Sequence, residues 1–185
     1  AVAYLGTEDS AHYIESVGLQ TIPVKKVDLK NLDHIASFAF LDDEGFHWNN
    51  DINKTINLLR KKNMTVVVAN TDINYPVSKN DISVAIGSIA DMVEKIIGKN
   101  FIRFGKPDAQ MFLLAYERAL QDITLSRSEI LMVGDTLYTD IIGGNKFGLD
   151  TALVLSGNTL PEMAPIRISG SGIIPTYTCE SIVIS

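Results

Sequence analysis

The chain has 185 residues, 46% of them hydrophobic and 21% charged, with a net charge of −6. That is an ordinary globular composition, with apolar material for one sizeable core or two small ones. Acids and bases are interspersed without a basic stripe, no apolar run reaches membrane-spanning length, and no signal peptide is evident. Nucleic acid and membrane are therefore excluded as expected partners. Cys179 is the only cysteine, which excludes an internal disulfide and a Cys-rich metal site and points to a cytoplasmic setting. His12, His34 and His47 lack ligand spacing and read as surface or loop residues.

Taken in chain order, the strand signals are AVAYLG (1–6), IASFAF (35–40), TVVVAN (65–70), FIRFG (101–105), ILMVGD (130–135) and TALVLSG (151–157). Helical patterns lie between most of them. Residues 12–18 form a short one closing at Gly18. Residues 50–63 place Ile52, Ile56 and Leu59 on one face, with Asp51 as N-cap and basic residues in the last turn. Residues 82–97 repeat Ile82, Ile86, Ile89 and Val93 at helical spacing and stop at Gly98. Residues 107–120 open with Pro107 and Asp108. A short helix follows from Asp140 to Phe147, ended by Gly148. After Gly157 the pattern is Gly/Ser-marked and β-leaning, and a closing strand or loop is expected. Gly98-Lys99-Asn100 interrupts two patterned segments and marks a candidate boundary.

Alternating strands and helices imply parallel sheets, and such sheets bind ligands beyond the carboxyl ends of their strands. Asp135 follows the apolar run 130–133 and Gly134 directly, and Asp140 comes five residues later. Turn chemistry alone also places Gly and Asp at a strand end. As a pair, however, the two carboxylates suit Mg²⁺, which takes few protein carboxylates and keeps several waters. Lys106, in Gly105-Lys106-Pro107-Asp108 before a helix, is a candidate anion partner, although a solvated loop lysine fits the same position. A lysine, a hard-metal carboxylate pair and a phosphate are chemically compatible.

GKPD at 105–108 and GDTLYTD at 134–140 resemble the third and fourth motifs of the HAD (haloacid dehalogenase-like) phosphatases. The longer run 134–157 is similar to the branch with a large α/β cap, which includes sugar-phosphate, nucleotide, p-nitrophenyl-phosphate and pyridoxal-phosphate phosphatases. ANTDINYP (69–76) resembles a cap segment, with Thr71 where that family often has Pro, and residues 1–19 resemble the cap's opening. The resemblance implies an α/β fold: a Rossmann-like parallel sheet core, its C-terminal part in 99–185, with an inserted α/β cap in 1–98. It implies a Mg²⁺-dependent phosphatase acting on a small phosphorylated metabolite through an aspartyl-phosphate, and it leaves room for a homodimer through the cap. Lys106 takes the lysine role and Asp135 that of metal ligand. Asp140 binds metal through water or orients its neighbours. Asn70, Asp72 and Tyr75 are the expected substrate contacts, although a loop that only shapes the turn ahead of Pro76 fits the same residues.

The family's nucleophile precedes the cap, so it is expected outside the numbered residues. The start at Ala1, within an apparent strand and without Met, fits a trimmed chain that alone is inactive. A substitute reading takes Asp42 as nucleophile, Glu44 as acid/base and Thr71 as phosphate ligand. Glu44 is one carbon longer than the expected Asp, which displaces a positioned base. The reading from another class is a non-catalytic module that binds phosphate and Mg²⁺.

Overall fold

The computed structural model describes residues 1–78, 81–121 and 123–183. They fall into two compact units, 1–74 with 84–104, and 75–83 with 105–185. The division runs between Phe104 and Gly105, beyond the interruption at Gly98–Asn100. Among the described residues no helix is long and apolar enough to cross a membrane.

The first unit is a five-stranded parallel sheet in the order β2-β1-β3-β4-β7. The strands are β1 (Val2–Leu5), β2 (Thr21–Pro23), β3 (Ser37–Phe40), β4 (Thr65–Val68) and β7 (Ile102–Arg103). Helices α1 (Glu8–Glu15), α2 (Trp48–Lys61) and α3 (Ile86–Ile97) connect them. Strand alternation sends Ala3, Leu5, Phe38, Phe40, Val66 and Val68 to one face, where they join Leu58, Ile89 and Val93 in the main core. Phe38 and Phe40 meet edge to face at 5.0 Å, and Phe40 stacks on Phe101 at 5.5 Å. The opposite face carries Tyr4 and Ala39 against Ala11 of α1. Beyond α1 it opens into a groove of about 650 Å³ lined by Tyr13, Leu41, Val67 and Phe104 among others.

Several boundaries differ from the sequence reading. The first helix starts at Glu8, because the Thr7 hydroxyl accepts the Ser10 N–H and caps it. Asp51 is not the cap of α2. His47 is, and the buried Asp51 carboxylate reaches back to accept the His47 N–H at 2.8 Å. Ile82–Val84 is a strand, β6, paired with β5 (Asn74–Pro76), and α3 begins only at Ile86. The helical spacing of Ile82 is overridden by pairing with another segment.

The second unit holds a three-stranded parallel sheet, β10-β9-β8, of β8 (Leu131–Gly134), β9 (Asp150–Val154) and β10 (Tyr177–Cys179). Its helices are α4 (Ala109–Ala119), α5 (Ile142–Phe147) and α6 (Ala164–Ser171). Leu137, Ile141, Leu153, Ala164 and Ile173 form its core. Among the described residues β8 is the last strand of this sheet, with Leu131 47% and Val133 43% exposed. The closing segment carries a helix the pattern did not suggest, α6, started by Pro165, and then the expected strand, β10. Its last two residues, 184–185, lie outside the described residues. The pair Gly143-Gly144 is explained by packing. A Cβ on Gly143 would stand 2.5 Å from the Phe112 ring of α4, and one on Gly144 2.6 Å from Thr151 of β9.

The outermost strand of the first unit is tied by charge. Arg103 Nη2 on β7 meets Glu94 Oε2 and Asp91 Oδ1 of α3, each at 2.5 Å, and Glu94 also accepts the Phe101 N–H. The Arg103 guanidinium holds the Glu94 carboxyl below the usual glutamate range. A depressed folded-state pKa contributes stability above the unfolded pKa and loses it as pH falls through the folded value. Glu94→Gln is therefore expected to destabilise the protein at pH 7 by roughly 1 kcal/mol, since solvent reaches Arg103 and screens the pair. The difference from wild type should close as pH drops below about 4.3, the ordinary glutamate value. Denaturant midpoints of both proteins between pH 3 and 7 check this. A gap that persists at pH 3 would assign the effect to packing.

Candidate active site

Because β8 and β9 run parallel, their carboxyl ends lie side by side, with Gly134 in register with Leu153. The two following loops, 134–136 and 156–158, therefore meet. Asp135 leaves β8 half-buried, and its Oδ2 accepts the backbone N–H of Asn158 at 2.7 Å. Its Oδ1 accepts the Thr136 hydroxyl at 3.2 Å. A Cβ on Gly157 would lie 1.8 Å from that Oδ2, so only glycine lets the second loop lay its amide on the carboxylate.

Asp140 is the buried acid of the site, only 2% exposed. Its Oδ2 accepts the backbone N–H groups of Asp135 at 3.1 Å and Thr136 at 3.0 Å. Its Oδ1 stands 2.7 Å from Lys106 Nζ. The turn that delivers it, Leu137–Ile141, is wound as a π-helix. Thr136 O accepts from both Asp140 N (3.0 Å) and Ile141 N (3.3 Å), the second being an i to i+5 bond. Gly134 makes room here too, since a Cβ there would fall 2.2 Å from the Asp140 carboxyl carbon. The helix after Lys106 starts at Ala109 rather than at Pro107, capped by Asp108 Oδ1 accepting the Gln110 N–H at 2.8 Å.

Lys106, Asp135 and Asp140 thus come together, linked through the buried carboxylate. Asp140 Oδ2 is filled by two backbone N–H groups and its Oδ1 meets Lys106, so the residue orients the strand end and the lysine. Asp135 keeps a lone pair on each oxygen. Among the described residues no group of three or more His, Cys, Asp or Glu is arranged to hold a metal. A site here would rest on one carboxylate plus waters, which Mg²⁺ accepts.

The other candidates are described within their own units. Asn70 and Asp72 belong to the first unit and Tyr75 to the second. Asn70 Oδ1 accepts the Asp72 N–H at 2.8 Å, shaping the turn, and Thr71 O and Asp72 O approach Gly87 so closely that a Cβ there would meet them at 2.6 and 2.5 Å. Asp42, in the first unit, accepts the Thr7 and Ser10 hydroxyls, both at 3.1 Å, which accounts for it as a tie between the β3 end and the start of α1. Sequence reasoning missed Thr136, Gly157 and Asn158. The signal was available, since the strand-end rule applied to Asp135 applies equally to the Ser-Gly-Asn that follows β9.

Residues 103–182 match the HAD-hydrolase-like family model. Over 190 aligned residues the chain is 30% identical to chronophin of Rattus norvegicus, covering 98% of this chain and 57% of that protein. A crystal structure of a possible sugar phosphatase of the HAD superfamily from Cytophaga hutchinsonii is 55% identical, with TM-score 0.91, over 100% of this chain and 65% of that one. A glycerol phosphate phosphatase from Mycobacterium tuberculosis, solved in complex with magnesium, is 25% identical with TM-score 0.72, over 96% of this chain and 49% of that one. The chain thus spans less than two thirds of the length of these relatives. With its third- and fourth-motif residues joined at one sheet end, the chain belongs to the HAD-like hydrolase superfamily.

Proposed function

We propose that the protein is a Mg²⁺-dependent phosphoric monoester hydrolase that acts on a small phosphorylated metabolite, a sugar phosphate or similar, through an aspartyl-phosphate. The observation that carries this reading is the Lys106–Asp140–Asp135 linkage at the carboxyl end of β8. The phosphatase relatives and the magnesium complex among them support it. The first unit is read as the cap and the second as the C-terminal part of the core.

Each residue has a physical task. Asp135 would hold the ion, and bound Mg²⁺ would supply positive charge to phosphoryl oxygens. Lys106 adds a second, compact cation for the same oxygens. Asp140 keeps Lys106 extended and keeps the Asp135 backbone in place. Preorganised charge of this kind counts most where charge moves in the transition state. Asp72 and Tyr75 are proposed as selectors of the ester's organic part.

Lys106→Ala is expected to lower kcat on the order of 10²-fold, with a smaller change in KM. Steady-state kinetics at two ionic strengths decides it. An unchanged kcat with a salt-sensitive kcat/KM would make Lys106 a screened attractor of anions instead. Asp135→Asn, like Lys106→Ala assayed in the complete protein, should remove Mg²⁺-dependent turnover there while the fold persists. Complete protein that binds Mg²⁺ and phosphate yet turns over no ester would favour the binding-module reading.

Variants at Asp72 and Tyr75 should reorder activity across a panel of phosphate esters more than they change turnover of a small generic ester. Uniform loss across the panel would show that these positions only shape the turn.

A further inference from the structure

We propose that Asn158 is a positioning residue for Asp135, holding its carboxylate in place for the bound Mg²⁺. This rests on the metal reading above and extends it to a residue that no motif marks.

Asn158 grips both oxygens of the Asp135 carboxylate. Its backbone N–H donates to Oδ2 at 2.7 Å. Its side-chain Nδ2 donates to Thr136 Oγ1 at 3.1 Å, and the Thr136 hydroxyl donates in turn to Asp135 Oδ1 at 3.2 Å. A hydroxyl has one proton. With that proton on Asp135, Thr136 can only accept from Asn158. The relay therefore fixes the amide with its nitrogen toward Thr136 and its oxygen away. Arg167 Nη1 donates to the Asn158 carbonyl at 3.2 Å and steadies the loop from the other side.

The oxygen so oriented is buried and has no hydrogen-bond partner among the described residues. Leaving such an acceptor unpaired is costly. The relay holds the amide in that orientation all the same, and with it the Asp135 carboxylate. Groups that orient a metal ligand in this way usually affect metal affinity itself.

Mn²⁺, read by electron paramagnetic resonance, is the probe, titrated into wild-type protein and Asn158→Ala. The variant is expected to bind Mn²⁺ on the order of tenfold more weakly, or worse, with unchanged circular dichroism. If Asn158→Ala does not fold, Thr136→Val breaks the same relay from its other end and is read identically. Wild-type binding with equal binding by the folded variant would overturn the inference and leave the metal reading standing, as would a lowered melting temperature alone. No Mn²⁺ binding by wild type would remove the metal reading, and this inference with it.

Discussion

The second unit depends on one buried carboxylate. Asp140 is nearly inaccessible, and removing a carboxylate from water is costly unless it is paired and hydrogen-bonded. It meets that requirement with one cation, Lys106, and two backbone N–H groups, those of Asp135 and Thr136. The constraint propagates from there. Gly134 must lack a Cβ because the carboxyl carbon occupies that space. The turn 137–141 widens to a π-helix that places Asp140 beneath the strand end. Asp135, whose own amide is held, then projects its carboxylate to the second loop.

The second loop is built to receive it. Gly157 permits contact at a distance no other residue allows, and Asn158 adds its amide and its relay through Thr136. The result is a carboxylate with fixed rotamer and one free lone pair per oxygen. A cation is held nearby by a different acid. Lys106 is thus paired with Asp140 and not with Asp135.

Much of this was legible in the sequence. The alternation of apolar runs with helical spacing gave the parallel α/β arrangement, and the carboxyl-end rule singled out Lys106, Asp135 and Asp140. What escaped has physical causes. Ile82 follows helical spacing but pairs with β5, and pairing with another segment leaves no local signature. The helix α6 was hidden by Gly170 and the β-branched Ile166 and Ile168, while Pro165, which starts it, reads equally as a turn residue. Asn158 was missed because its role comes from the parallel register of β8 and β9, which brings together loops distant in sequence. Asp140 was expected as a metal ligand or an orienting group, and it does orient the Asp135 and Thr136 amides and Lys106.

Amide hydrogen exchange tests the organising role of Asp140 most directly. In wild type the Asp135 and Thr136 amides should be protected. In Asp140→Ala each should exchange at least about tenfold faster, the equivalent of one lost charge-assisted hydrogen bond, while the β9 amides keep their protection. Unchanged protection at Asp135 and Thr136 in the variant would contradict the claim that this carboxylate holds the site together.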